Sequence, residues 1–406
     1  MSENGTFGDG GQYWGTRVGF ILASLGAAAG IGNIWRFAYI AGENGGGVFF
    51  FIYLVCIALI GLPILMAELA IGRATSADAA GTVVGDMRIR EWRLFGPLAV
   101  VTAFVILSYY SAIAGWALKY LIGAVTGVLW EQAAAGYGLF FESFVGSTWE
   151  PLAWQALMLG FTAWIVSGGV NNGIERANRI LMPGLLIIVV ALALFGLTLP
   201  GAGKGLAFMF APDWRALADP QVYIAALGQA FFSLGVGMAI YVTYGRYIRS
   251  SYGIAGSAST VVIGDSLIAA LAGIAIFTAV FTFSLDPAEG PELAFITLPQ
   301  IFLLMPGGRF IAVAFFALLV AGALTSMVSI LEVPVAHLGQ ARRWSRRRIA
   351  WSVAAASLLI GVPSTLGFGL LSDIAWHGRG IMDNLDYAVS NMLLPLGGIA
   401  IALYVG

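Results

Sequence analysis

The chain has 406 residues, of which 59% are hydrophobic and only 10% charged, with a mean hydropathy of +0.89. That composition excludes a water-soluble domain and a disordered chain, and a net charge of -1 argues against a nucleic-acid partner. Cys56, the only cysteine, lies inside an apolar run, so no internal disulfide is possible.

A membrane crossing takes about 20 apolar residues. On that measure the sequence predicts ten spans, roughly 14–40, 47–71, 94–125, 151–168, 177–199, 221–248, 254–284, 308–338, 348–370 and 380–404. The expected fold class is therefore an all-α integral membrane protein. The first span is not a cleavable leader: it is too long, lacks a small-residue cleavage site and carries Asn33 and Arg36. It also carries Gly26, Gly30 and Gly32 at mid-depth, and the sixth span carries Gly235 and Gly237 in the same way. Hydrocarbon does not tolerate unpaired peptide groups, so broken backbone at that depth must line a cavity or a site. Two such breaks, one at the start of each half, point to a secondary transporter with its site at the midplane.

Arginine and lysine set the orientation. With the N-terminus inside, the inner loops hold Arg73, Arg88, Arg90, Arg93, Arg176, Arg179, Arg246, Arg249 and the cluster Arg342, Arg343, Arg346, Arg347 and Arg348. The outer loops keep Lys204, Arg215, Arg309 and Arg379. Both termini are then cytoplasmic in a multi-pass protein of the inner (plasma) membrane, and the basic cluster reads as a topology anchor. The whole chain is one transmembrane domain. Five spans plus five give opposite topology to the two halves, one repeat over about 14–199 and the other over about 221–404, as an inverted repeat requires. Between spans seven and eight, the proline-containing segment Glu289–Phe302 reads as an external loop with a short helix, a candidate lid.

Polar groups inside spans are costly and default to functional candidates. Asn33 and Ser233 sit at the two breaks, Asp265 lies within span seven, and Thr325 and Ser326 lie within span eight. All supply hard oxygen, which suits an alkali cation. The plainer alternative for Thr325 and Ser326 is bonding back to their own helix. Half-helix N-termini at the breaks favour an anionic substrate group such as a carboxylate, and Tyr109 or Tyr110 could donate a phenol to it. Arg36, outside the first break, could pair with Asp383 or Asp386 at the start of span ten to close an outer vestibule; interfacial anchoring is the alternative. His337 and His377 fall near opposite ends of the membrane, and no Ser/His/Asp or Cys/His set is evident, so an intramembrane enzyme is disfavoured.

At these residues the chain resembles the neurotransmitter:sodium symporter family, especially its bacterial amino-acid transporters of the leucine-transporter fold. The resemblance rests on W14-G-T-R17, G30-I-G-N-I-W-R-F37, E43-N-G-G-G47 and G61-L-P-I-L-M-A-E-L-A-I-G-R73 in the first half. In the second half it rests on G228-Q-A-F-F-S-L-G-V-G237, the run F-I-T-L-P from Phe295, L324-T-S326 and S390-N-M-L-L-P-L-G-G398. It covers essentially the whole chain.

The resemblance implies two sodium sites. At the first, Asn33, the Ala28 carbonyl, Ser233 and Asp265 would hold the ion beside the substrate carboxylate. At the second, the Thr325 and Ser326 hydroxyls would join the carbonyls of Gly26, Ala29 and Gly322. Tyr110 matches the carboxylate-binding tyrosine, Phe232 the aromatic lid, and Arg36 with Asp386 the outer gate. Ile31, Ile106, Phe232, Met238 and Ile330 would surround the substrate side chain, with Ala28, Gly32, Ser233, Gly235 and Ser326 completing the pocket. Trp14 and Tyr247 match the inner gate.

Three departures stand out. Asp265 occupies a position where the family's leucine transporter has asparagine; its fixed carboxylate could replace a bound chloride, although Tyr53 and Gln229, residues of the chloride-site type, remain. An ionised Asp265 would be costly to bury once the cations have left, so the return step is expected to carry a proton. The inner-gate salt bridge of many members would need charges where this chain has Gly11 and Gln340. The chain stops at Gly406 after ten spans, where relatives have eleven or twelve; the further spans lie outside the core repeat. The expected function is sodium-coupled import of a neutral, hydrophobic or aromatic, L-amino acid without chloride. A different small amine or amino-acid derivative as substrate, or a sensor that binds without cycling, are the competing readings.

Overall fold

The computed structural model of the protein describes residues 13–75, 92–131, 136–286, 293–341, 344–376 and 378–405. Gly11, Arg88, Arg90, residues 289–292 of the expected lid, Arg342, Arg343 and His377 lie outside them, as do the side chains of Arg93 and Gln340.

The apolar runs form helices because only a helix pairs all of its own backbone groups in hydrocarbon. In chain order they are α1 (Arg17–Ala28), α2 (Gly32–Glu43), α3 (Gly47–Ala74), α4 (Trp92–Thr126), α5 (Val128–Glu131), α6 (Tyr137–Val145), α7 (Glu150–Ser167), α8 (Val170–Leu197), α9 (Ala202–Phe210), α10 (Pro220–Leu234), α11 (Ile240–Gly245), α12 (Ile254–Thr282), α13 (Thr297–Leu304), α14 (Gly308–Ala341), α15 (Arg346–Leu366) and α16 (Ile381–Val405). Seven of these are long and apolar enough to cross a membrane, and the pair α1–α2, bent by 48°, makes an eighth. Helix α7 and the interrupted pair α10–α11 fall on the two remaining predicted spans.

Helix starts follow ordinary capping chemistry. Thr16 accepts the Gly19 amide at the head of α1, and Asp219 accepts the Gln221 amide at the head of α10, where Pro220 takes the first position. The short helices α5, α6 and α9 were too brief to announce themselves as spans, and α13 is the short helix expected in the lid segment, running two residues past its end at Phe302. Helix α9 is a correction to an expected loop: Gly205 and its cap residue Gly201 let it sit directly on the backbone of α12 around Phe277 and Thr282.

The scaffold is tied by polar contacts as well as by apolar packing. Gln155 on α7 donates to the Ser108 carbonyl and Ser111 hydroxyl of α4 at 3.0 and 2.9 Å, and accepts from Thr365 of α15 at 2.8 Å. Against this frame, α4 and α14 lie side by side and flank the two breaks.

Candidate functional site

The first break covers 29–31, between α1 and α2. The second covers 235–239, between α10 and α11, and its backbone is left-handed at Gly235 (φ 69°), Gly237 (φ 88°) and Ala239 (φ 62°). Glycine adopts that conformation freely; Ala239 does not, and holding it there stores about 1–2 kcal/mol. At Gly237 a side chain would also run into the Leu394 carbonyl at 2.4 Å. The amides this break releases are not lost. Glu68 of α3, fully buried, accepts from Gly237 N at 2.7 Å and Tyr241 N at 3.2 Å. Sequence reasoning passed over Glu68, although a carboxylate inside an apolar span was the available signal.

A first oxygen cluster brings four spans together. Ser233 Oγ lies 2.9 Å from Asn33 Oδ1 and 2.9 Å from each Asp265 carboxylate oxygen. Asn33 Nδ2 donates to Asp265 Oδ1 at 2.7 Å, and Tyr53 donates to Asp265 Oδ2 at 3.1 Å. All four side chains are buried. Gln229, named with Tyr53 as a chloride-type residue, turns elsewhere: it donates to the Gly32 carbonyl at 3.1 Å and accepts from Arg36 Nη1 at 2.6 Å.

A second cluster lies where α14 crosses α1. Ser326 Oγ donates across the helices to the carbonyls of Gly26 at 3.2 Å and Ala27 at 3.4 Å. Thr325 instead bonds back to Gly322 O of its own helix at 3.0 Å. Gly322 is pressed so closely on the first break that a methyl there would lie 3.1 Å from the Gly30 carbonyl carbon. Both clusters consist of hard oxygens, so their chemistry fits an alkali cation.

Between the clusters, Tyr110 OH accepts from Ile31 N at 3.2 Å. A cavity there of about 20 Å³ is lined by Ala28, Gly32, Ile106, Tyr110, Phe232, Met238, Ser326 and Ile330, all named from the sequence, and also by Ala27 and Gly30. The space suffices for about one water. Ser233 and Gly235 do not line it; Ser233 faces the first oxygen cluster, and a side chain at Gly235 would meet Met238 and Ile240. Ile31 lines a second cavity, about 180 Å³, on the far side of Phe232, together with Arg36, Tyr109, Asp383 and Asp386.

That larger cavity is bounded by a charged pair. Arg36 donates to Asp386 Oδ2 at 3.1 and 3.3 Å, and its guanidinium lies 4.6 Å above the Phe232 ring. Tyr109 and Ser390 both donate to Asp386 Oδ1, at 3.1 and 3.2 Å. Asp386 rather than Asp383 is thus the partner of Arg36.

At the opposite end, Trp14 is fully buried and donates through Nε1 to Tyr244 O at 3.1 Å, while its amide donates to Tyr247 O at 3.1 Å. The salt bridge expected to be missing here has a counterpart the sequence reading did not pick out. Arg346 of α15 pairs with Glu332 of α14, which also accepts from Tyr247 OH at 2.9 Å. Arg346 had been counted only as a topology charge, but its guanidinium also donates to Val166 O at 2.8 Å and is buried. A further knot joins Glu175 of α8 to Gly15 N at 2.6 Å, to Thr16 at 3.1 Å and to Arg179 at 2.6 Å.

Comparison with known proteins places this geometry among transporters. The model of the "Sodium:neurotransmitter symporter family" matches residues 11–139 and 144–374. An uncharacterized sodium-dependent transporter of Bacillus subtilis, YhdH, is 37% identical over 392 residues, covering 97% of this chain and 87% of its own length. An uncharacterized sodium-dependent transporter of Haemophilus influenzae is 33% identical over 97% of this chain and 89% of its own. Among solved structures, MhsT in complex with L-phenylalanine is 48% identical and superposes with a TM-score of 0.93, over 98% of this chain and 90% of MhsT.

Proposed function

The chain belongs to the sodium:neurotransmitter symporter family, and on that premise we propose that it imports a neutral, hydrophobic or aromatic, L-amino acid by alternating access. It is a sodium-dependent membrane transporter and not an enzyme. The observation that carries the substrate class is the cavity between the breaks. One side offers Tyr110, Ser326 and backbone at the head of α2; the other offers Ile106, Met238, Ile330 and the Phe232 ring. A carboxylate fits the first side, where the helix N-terminus carries partial positive charge, and an apolar side chain fits the second. The likeness to MhsT, solved with L-phenylalanine, supports the same class. A large side chain gains its room when Phe232, which divides this cavity from the outer one, swings aside; Met238 repacks easily.

In this reading two sodium ions travel with the substrate. Asn33, Ser233, Asp265 and the Ala28 carbonyl hold one. Thr325, Ser326 and the carbonyls of Gly26, Ala29 and Gly322 hold the other. Asp265 supplies the negative charge that an anion would otherwise bring, so chloride is not required. The chain acts as one transport domain with repeats over about 14–199 and 221–404, in the inner (plasma) membrane with both termini cytoplasmic, where Arg-rich loops sit.

Uptake into proteoliposomes tests the proposal. L-Phenylalanine, L-tryptophan and L-leucine are expected to accumulate on a sodium gradient and not on a potassium gradient. Competition in which glycine or alanine displaces every large amino acid would reject the substrate class. Replacing chloride by gluconate is expected to leave uptake unchanged, whereas Asp265→Asn is expected to be weak or to gain a chloride requirement. A parent protein that stops in gluconate would overturn the charge argument.

A further inference from the structure

The seam between α1 and α8 is polar on one side and bare on the other. Gly19 and Gly26 line one face of α1, with Gly15 just before it, and α8 answers with Asn171, Glu175 and Asn178. A methyl built on Gly19 would lie 2.1 Å from Glu175 Oε1, and one built on Gly26 would lie 2.1 Å from Asn178 Oδ1. The two α8 residues differ in one respect. Both Glu175 oxygens are engaged, by Gly15, Thr16 and Arg179. Asn178 is fully buried, its Nδ2 donates to Ile174 O at 2.9 Å, and its Oδ1 has no hydrogen-bond partner.

The amide orientation is fixed by chemistry. Only the NH₂ end can face the Ile174 carbonyl, so the oxygen must face α1. It faces Gly26, the residue whose carbonyl belongs to the second oxygen cluster, and the same built methyl would lie 3.0 Å from Thr325 Cβ. A buried acceptor without a donor is unfavourable, and a Cα–H contact with Gly26 compensates weakly.

We propose that Asn178 is a further cation-positioning residue, its Oδ1 presenting an oxygen to sodium at the edge of the cluster formed by Gly26, Thr325 and Ser326. The proposal rests on reading that cluster as a sodium site. A neutral amide holds a cation more loosely than a carboxylate, which suits a threshold where the ion must also leave. One turn further toward the Trp14 end, Glu175 continues the oxygen-lined seam.

The test uses the purified full-length protein in detergent, without amino acid, and follows thermal unfolding as sodium chloride replaces choline chloride. Asn178→Ala and Asn178→Leu are expected to raise the sodium concentration for half-maximal stabilisation about tenfold, the scale of one lost contact to a charge. Asn178→Asp is expected to lower it, because oxygen is kept and negative charge added. A merely structural role would weaken the response in all three. Alanine and leucine variants with the parent's sodium response, or an aspartate variant as weak as alanine, would overturn the inference. Thr325→Ala with Ser326→Ala is the control: if that double variant also keeps the parent's response, the sodium-site reading itself fails, whereas silence of the Asn178 variants alone sinks only this proposal.

Discussion

In the proposed alternating-access reading, the outer and inner ends of the substrate path are closed by different means. The outer end depends on one ion pair, Arg36–Asp386, backed by Tyr109, Ser390 and Gln229, with Phe232 beneath. The Asp386 side chain keeps 22% of its surface exposed. The inner end is closed by a fully buried tryptophan, a Glu332–Arg346 pair exposed by 0% and 8%, and the separate Glu175 knot. Arg36 in the outer pair is buried, at 5%, but its partner Asp386 already meets water, so separating them strands less charge than a pair buried on both sides. A buried pair that loses one partner strands a charge in low dielectric. Opening outward therefore needs few contacts to change, whereas opening inward must break several that water replaces poorly. The closed inner end is the stronger of the two.

Substitutions can break or sharpen that contrast. The largest effect is expected from Glu332→Ala, which leaves Arg346 buried without its carboxylate. The loss is about 3–5 kcal/mol, read as a lower unfolding midpoint and faster hydrogen exchange over residues 14–20. If exchange there is unchanged, the pair does not hold the inner end shut. Asp386→Asn comes next, at about 1.5–3 kcal/mol for a charge-assisted contact. It is expected to slow uptake while sparing initial sodium binding, and an Asp386→Ala protein that transports like the parent would reduce the pair to an anchor. Trp14→Phe keeps an aromatic ring but drops the bond to Tyr244 O, a change of about 1 kcal/mol visible in the same exchange experiment. Tyr109→Phe is the mildest, near 0.5–1.5 kcal/mol, because Ser390 still donates to Asp386 Oδ1. Should Tyr109→Phe impair uptake more than Asp386→Asn, the outer closure is organised by the phenol and not by the ion pair.

Much of the site was legible in the sequence because membranes make polarity conspicuous. Asn33, Ser233 and Asp265 were named as isolated polar residues in apolar spans, and they meet within hydrogen-bond distance. The glycines at 26–32 and 235–237 announced broken backbone. Glu68, Glu332 and Asn178 are equally conspicuous residues, yet their roles were not read. A carboxylate in a span declares that it has a partner but not who the partner is, and these partners are backbone amides 169 and 173 residues away for Glu68 and a basic residue on the following span for Glu332. Arg346 misled for the same reason: counted among loop charges, it turns inward beneath α14.

By itself the sequence determined the helical fold, most span limits within a few residues (α8 begins at Val170, not near 177), the positions of both breaks and the oxygen donors that gather there. Those properties follow from local composition, since hydrocarbon forces every apolar run to be helical and every glycine-rich interruption to be sheltered. Only the tertiary structure decided which charge answers which. It gave Glu332 to Arg346, turned Gln229 toward Arg36, and left Asn178 with an oxygen facing Gly26, whereas the Arg36–Asp386 pair was already implied by the family resemblance. Side-chain partners on different helices are chosen by crossing geometry at ångström precision, and no periodicity along one chain carries that information.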